Sequence, residues 1–137
     1  MIKALSHICI DIIDIAATEH FYCQQLGLTL HYNYIRKGER FGLMLRVDKN
    51  SYIEAFCLAS EPLGEAKGIK HLCFEVEDIH QTEKELTERG VVCTNKKQAS
   101  DGSWALWCKD PNGISIEFNA YDEASSVYTK KDRIIYW

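Results

Sequence analysis

Four side chains in this 137-residue sequence could together do metal and acid–base chemistry: His7, Glu54, His71 and Glu117. Two imidazoles and two carboxylates make an N2O2 donor set. Such a set suits a divalent transition metal and leaves coordination positions for water or substrate. Taken singly, a histidine on a strand is usually structural, and a glutamate there usually faces solvent. Recurrence sets these four apart. Ser-His-Ile-Cys-Ile-Asp-Ile-Ile-Asp-Ile at 6–15 returns as Lys-His-Leu-Cys-Phe-Glu-Val-Glu-Asp-Ile at 70–79. His7 thus falls on His71, Cys9 on Cys73, Asp11 on Glu75 and Asp14 on Asp78. Further along, and at a spacing one residue shorter, Phe41 falls on Trp104, Leu43 on Leu106 and Glu54 on Glu117. Agreement of two separate segments points to an internal duplication. Both glutamates have apolar neighbours, Ile53 and Ala55 in one case, Ile116 and Phe118 in the other. A carboxylate turned inward without a partner is costly, and a cation would offset that cost.

The elements that must hold these residues follow from periodicity. Residues 5–12 alternate as a strand, with Leu5, His7, Cys9 and Asp11 on one face and Ile8, Ile10 and Ile12 on the other. Asp14 is suited to cap a helix from Ile15 to Leu26, with Gly27 just past its end and Ala16, Ala17, Phe21 and Leu26 on its buried side. Strands are expected at 28–34, 41–47 and 51–58. In the last of these Tyr52, Glu54 and Phe56 share a face. The segment 60–68, with Pro62, Gly64 and Gly68, reads as a linker. The order then repeats: a strand at 69–76 with Leu72, Phe74 and Val76 on the helix side, a helix capped by Asp78 and ending before Gly90, and strands at 91–95, 104–108 and 114–119. Asp110-Pro111-Asn112-Gly113 is a turn. The expected architecture is α+β: two tandem β-α-β-β-β units, 1–59 and 69–120, forming a curved mixed sheet within one domain. Residues 121–137 have no counterpart in the first unit and form an extension, with Tyr121, Tyr128, Tyr136 and Trp137 available to pack it. If the first and last strands of each unit lie near one another, His7 and Glu54 share a side, as do His71 and Glu117.

Composition narrows the class. With 46% hydrophobic and 26% charged residues the chain is of ordinary globular make-up, and a net charge of −4 gives no reason to expect nucleic acid or an anionic membrane as partner. No apolar run is long enough to span a bilayer and no signal-peptide pattern opens the chain, so a cytoplasmic location is expected. Cys9, Cys23, Cys57, Cys73, Cys93 and Cys108 include no C-x-x-C pair, which argues against a zinc ribbon or a thioredoxin-type site. In a reducing compartment they read as small hydrophobes; Cys9 and Cys73, on the same face as the histidines, read as core filler ahead of pocket lining. Asp11 and Glu75 read as partly solvated or as fixing neighbouring groups, His20, His31 and His80 as solvated or locally bonded, and Trp104 and Trp107 as core or interface aromatics. Glu83-Lys84-Glu85 and Glu88-Arg89 read as a solvated helix face.

The paired units, the Ser6-His7 and Lys70-His71 strand starts, Asp110-Pro111-Asn112-Gly113 and Ile116-Glu117-Phe118 resemble the vicinal oxygen chelate superfamily. Its fold is that of the glyoxalases, bleomycin-resistance proteins and dioxygenases. Within it the chain is similar to glyoxalase I (lactoylglutathione lyase) from residue 2 to residue 120. The resemblance implies a homodimer acting on a small-molecule substrate, with His7, Glu54, His71 and Glu117 as ligands of one divalent ion per site. A histidine as first ligand looks like the bacterial enzymes that prefer nickel or cobalt, with zinc also able to bind. It implies isomerisation of a 2-oxoaldehyde–thiol adduct, or of a related small carbonyl compound. A glutamate removes the proton next to the carbonyl and the metal stabilises the enediolate. Glu117 takes the part of main base and Glu54 that of a ligand able to act on the other face. Glutathione-using bacterial members carry an arginine four residues after the first histidine and an asparagine four after the first glutamate. Here these are Asp11 and Leu58, so the resemblance does not extend to the glutathione end of the substrate. Alternatives within the fold are an isomerase like methylmalonyl-CoA epimerase, whose second ligand is commonly glutamine, and a metal-free binding or resistance protein, which needs no ligand set.

Overall fold

The computed structural model describes residues 6–58, 71–99 and 102–129. The expected linker at 60–68, and Tyr136 and Trp137 of the extension, lie outside the described residues. The chain divides into two compact units. The first takes in the described residues up to 58 together with Asp110–Ile114; the second takes in those from 71 to Lys109 together with Ser115 onward.

In the first unit β1 (His7–Ile12) leads to α1 (Ile15–Glu19), which runs on as a π-helical segment (His20–Gln25). Then come β2 (Thr29–Arg36), β3 (Glu39–Arg46) and β4 (Tyr52–Cys57). The sheet order is β1-β4-β3-β2. The second unit repeats the sequence of elements: β5 (Leu72–Glu75), α2 (Ile79–Glu88), β6 (Lys97–Gln98), β7 (Trp104–Lys109) and β8 (Ser115–Ala120), followed by a short α3 (Ser126–Thr129). Its order, β5-β8-β7-β6, is the same. The fold is α+β in two tandem four-stranded sheets. In each sheet the first and last strands pair in parallel and the remaining pairs are antiparallel. Among the described residues no helix is long and apolar enough to cross a membrane.

Alternation decides which face of each sheet is covered. Ile10, Ile12, Leu43, Leu45, Ile53 and Ala55 are buried in the first unit; Leu72, Leu106, Cys108, Ile116 and Phe118 are buried in the second. Each fully buried Leu or Ile contributes about 1.5–3 kcal/mol, and a one-residue slip of register would turn the whole set to solvent. The helices cover these faces with Phe21 and Tyr22 in one unit and Ile79 and Leu86 in the other.

Three local expectations change. The helix after Asp14 is not α throughout. Asp14 Oδ1 accepts from Ala17 N–H at 2.9 Å as expected of a cap, but from His20 the spiral widens, and Leu26 N–H donates to Phe21 at 2.9 Å. Buried Thr18 and Tyr22, rather than Ala16, carry its inner side. Gly27 follows with φ 82°, a value that favours glycine. The strand expected at 91–95 is absent, and β6 is Lys97–Gln98 alone. Thr94 explains the loss. Its N–H donates to Trp107 O at 2.8 Å, but its side-chain Oγ1, not a backbone carbonyl, accepts from Trp107 N–H at 3.2 Å, so no regular ladder forms.

The Asp110-Pro111-Asn112-Gly113 turn is more than a link between strands. Asp110 Oδ1 accepts from the N–H groups of Asn112 (2.9 Å) and Ile114 (2.8 Å), and Gly113 has φ 86°. Asp110 Oδ2 accepts from Tyr22 Oη at 3.0 Å and from Asn112 Nδ2 at 3.0 Å. Asn112 is 1% exposed; its Oδ1 accepts from Ile13 N–H at 2.9 Å and its Nδ2 donates to Thr18 Oγ1 at 3.2 Å. The turn therefore satisfies the chain where β1 passes into α1.

Two outcomes follow. Asn112→Ala strips the Ile13 N–H of its acceptor and should lower stability by about 2–3 kcal/mol in urea unfolding. Asp78 Oδ1 accepts from Gln81 and His80 N–H at the start of α2, and those bonds hold its carboxyl below the ordinary value. Its contribution is complete above the unfolded value of about 3.9 and fades as pH falls through the lower folded value. Asp78→Asn, which still caps, should flatten the fall in stability below about pH 4 in unfolding curves taken across that range.

Candidate metal centre

In the first unit His7 opens β1 and Glu54 sits mid-way along β4. The parallel register sets His7 opposite Tyr52 and Cys9 opposite Glu54. Because Ile10, Ile12, Ile53 and Ala55 turn to the core, His7, Cys9, Tyr52, Glu54 and Phe56 must turn to the other face. There His7 Nε2 lies 3.8 Å from Glu54 Oε2, with the imidazole 45% and the carboxylate 18% exposed. Glu54 Oε1 accepts a 2.6 Å hydrogen bond from Tyr34 Oη, and the Tyr32 and Tyr34 hydroxyls are 3.2 Å apart. Burial first, and then the hydrogen bond to Glu54, push the Tyr34 phenol above its ordinary range, so it stays a proton donor. The Cys9 thiol is pushed up to about 11 by burial, the hydrogen bond to Glu54 and that carboxylate's charge.

The second unit repeats this register. Cys73 stands opposite Glu117, and His71 immediately precedes β5. His71 Nε2 lies 3.1 Å from Glu117 Oε2, the side chains being 37% and 15% exposed. Trp107, opposite Glu117 on the other side, sets its ring edge against His71 at 4.8 Å. Burial, the charge of Glu117 and a hydrogen bond to it push the Cys73 thiol up to about 11, and Tyr121 also bonds to that thiol. Asn119 Nδ2 makes a long contact with Glu117 Oε1, at 3.5 Å.

Does each pair fit a divalent ion? Donors about 2.1 Å from an ion, at angles between square and tetrahedral, stand about 3.0–3.4 Å apart. His71 and Glu117 meet that spacing, and His7 and Glu54 are a few tenths of an ångström wide. Each unit thus brings together one imidazole nitrogen and one carboxylate oxygen as half of a donor set. Among the described residues no group of three or more His, Cys, Asp or Glu side chains is gathered around one point.

Other residues meet expectation or depart from it. Cys9 and Cys73 are exposed rather than core filler, because alternation from the buried positions puts them on the histidine–glutamate face. Trp107 touches a site histidine. Glu75 is exposed and fixes a neighbouring group, as expected: it accepts from Tyr128 Oη at 2.6 Å, and Tyr128 sets its ring against Tyr121 at 6.0 Å, so the start of the extension packs beside the second pair. His31 and His80 are exposed, as expected, with tilted or edge contacts to Tyr32 and Tyr52 and to Trp104 respectively. Glu83 pairs with Lys96 and so leaves the solvated face expected of it. Tyr34 and Tyr121 were not legible as site residues, since neither recurs in the other half. The counterpart of β2 is only Lys97–Gln98, and Tyr121 lies beyond the repeat.

The model of the Glyoxalase/Bleomycin resistance protein/Dioxygenase superfamily matches residues 4–118. The chain belongs to this superfamily, the vicinal oxygen chelate proteins. It is 30% identical over 122 residues to the protein YaeR of Escherichia coli (strain K12), covering 85% of this chain and 95% of that one. Among solved structures, a glyoxalase family protein from Enterococcus faecalis superposes with a TM-score of 0.74 at 25% identity, covering 85% of this chain and 97% of its own. Lactoylglutathione lyase from Agrobacterium tumefaciens superposes with a TM-score of 0.66 at 17% identity, covering 85% and 92%, a likeness of fold alone. The superfamily includes enzymes, and its fold is commonly a small-molecule-binding domain. The family match ends at 118, so Tyr121 and Tyr128 lie outside it.

The raised thiols have a measurable consequence. In metal-free native protein at pH 8, Cys9 and Cys73 should react with iodoacetamide about 100-fold more slowly than in unfolded chain, and the gap should close as pH approaches 11. Residue-resolved mass spectrometry of the alkylated protein checks this.

Proposed function

We propose that the protein is a metal-dependent lyase or isomerase of the glyoxalase I type, acting on a 2-oxoaldehyde–thiol adduct or a related small carbonyl compound. One observation carries the reading: in both units an imidazole Nε2 turns toward a carboxylate oxygen, at the same strand register. His7, Glu54, His71 and Glu117 would hold one nickel, cobalt or zinc ion per site. When bound, the ion supplies Lewis-acid charge for substrate oxygen atoms. Glu117 would take the proton from the carbon next to the carbonyl and return it to the former carbonyl carbon, while the hydroxyl proton passes to the other oxygen, so that carbonyl and hydroxyl exchange places and substrate and product are isomers. His71 Nε2 stands 3.1 Å from its Oε2, so that both would face one ion, and Trp107 sets its ring edge against that imidazole. Asp11 on the same face as His7 disfavours an anionic thiol carrier such as glutathione, and another thiol fits the face better. A homodimer in the cytoplasm is the proposed form; a second copy is one source of the donors that each pair lacks.

One observation favours a second reading, a metal-free small-molecule binding protein of the same fold: no larger donor group is gathered among the described residues. Elemental analysis after supplementation with nickel, cobalt or zinc separates the two. One ion per site, together with turnover of methylglyoxal–thiol adducts that a chelator abolishes, supports the enzyme. No retained ion supports the binder. With the ion in excess, Glu117→Gln should lower kcat about 10²–10⁴-fold, and full activity in that variant would remove Glu117 as the base.

A further inference from the structure

We infer that Tyr34 is a positioning residue of this site: its phenol pins one oxygen of Glu54, making Glu54 a fixed ligand and leaving Glu117 the freer carboxylate. The inference rests on the metal reading above and deepens it by dividing the work between the two glutamates.

The two halves share a register but not all their hydrogen bonds. Glu54 Oε1 is held at 2.6 Å by Tyr34 Oη, and Oε2 is left facing His7. Each glutamate also takes a thiol hydrogen bond, from Cys9 or Cys73, but among the described residues Glu117 takes none from a phenol, and its Oε1 has a 3.5 Å amide contact from Asn119. A short bond from a phenol to a carboxylate is among the stronger side-chain hydrogen bonds and removes a carboxylate's freedom to rotate. A ligand benefits from that restraint, because partners that orient a ligand raise metal affinity. A base that must collect a proton at one carbon and deliver it at the next is better left mobile.

The contact is built across an intervening strand. In the order β1-β4-β3-β2, Tyr34 and Glu54 are separated by β3. Tyr34 pairs with Gly42, and Gly42 pairs with Phe56. A Cβ on Gly42 would collide with Ala55 O and come within 2.7 Å of the Phe56 ring. Glycine there lets the Phe56 ring lie over β3, and the Tyr34 ring packs on it at 4.7 Å. From that shelf the Tyr34 hydroxyl reaches Glu54. Among the described residues the second unit has no such shelf, because its counterpart of β2 is two residues long.

The test is a competitive zinc or nickel titration of the purified full chain, with thermal unfolding alongside. Tyr34→Phe keeps the ring on Phe56 and loses only the hydroxyl. It should keep its melting temperature within a few degrees yet bind the ion about 10–100-fold more weakly. Tyr32→Phe, whose hydroxyl touches Tyr34 but not Glu54, should bind as the wild type does. Tyr34→His, which keeps a ring and a donor, should fall between Tyr34→Phe and wild type, and it stands in for the comparison if Tyr34→Phe does not fold. The absorption bands of the cobalt-loaded protein should shift in Tyr34→Phe, as a reoriented ligand requires. Equal affinity and equal cobalt spectra for Tyr34→Phe and wild type would overturn the assignment and leave the metal reading standing. A wild type that holds no ion would overturn both.

Discussion

Parallel pairing of the first strand with the last is the constraint on which the rest of each unit depends. A parallel pair cannot be closed by a hairpin; it needs a long crossover, and here the crossover is a helix and two further strands. The histidine at the start of β1 and the glutamate in β4 are therefore distant in sequence yet neighbours in the sheet. The same geometry recurs between β5 and β8. Burial then selects the face. The apolar residues flanking each glutamate are drawn to the core, and the carboxylate has to emerge on the side where the imidazole stands.

Polar groups are handled differently in the interior and on the site face. Inside the first unit, Asp110 and Asn112 form a closed network in which Tyr22, Thr18 and the Ile13 N–H all find partners. Such a network specifies one arrangement of the turn because any alternative leaves a buried donor unpaired. On the site face the bonds are fewer and unequal. Glu54 is braced by a phenol, while Glu117 has an imidazole, a thiol and a long amide contact beside it but no phenol bond among the described residues. The two halves share strand order and donor types, and the difference between β2 and β6 makes them chemically distinct.

Much of this was legible in the residues themselves. The repeat of 6–15 in 70–79, the alternation around His7 and Glu54, and the Asp14 and Asp78 caps specify the α+β repeat and its faces, because burial and helix capping act over a few neighbouring residues. The two-residue β6 was not legible. Val91, Val92 and Cys93 look like a strand, and only the Thr94 side chain, taking the place of a backbone acceptor, shows why no ladder starts there. For Cys9 and Cys73 alternation gives the face, but cysteine also packs well in cores, and their exposure depends on that face being left open.

What the sequence determined by itself was which residues recur and which side of a strand they occupy, since both follow from local periodicity and self-comparison. Only the tertiary structure decided that Tyr34 meets Glu54 across β3, that Trp107 lies against His71, and that Tyr121 and Tyr128 pack on Cys73 and Glu75. These contacts join residues on strands or segments far apart in the chain. Their geometry depends on sheet order, on an absent Cβ at Gly42 and on where the chain turns after β8, none of which has a periodic signature.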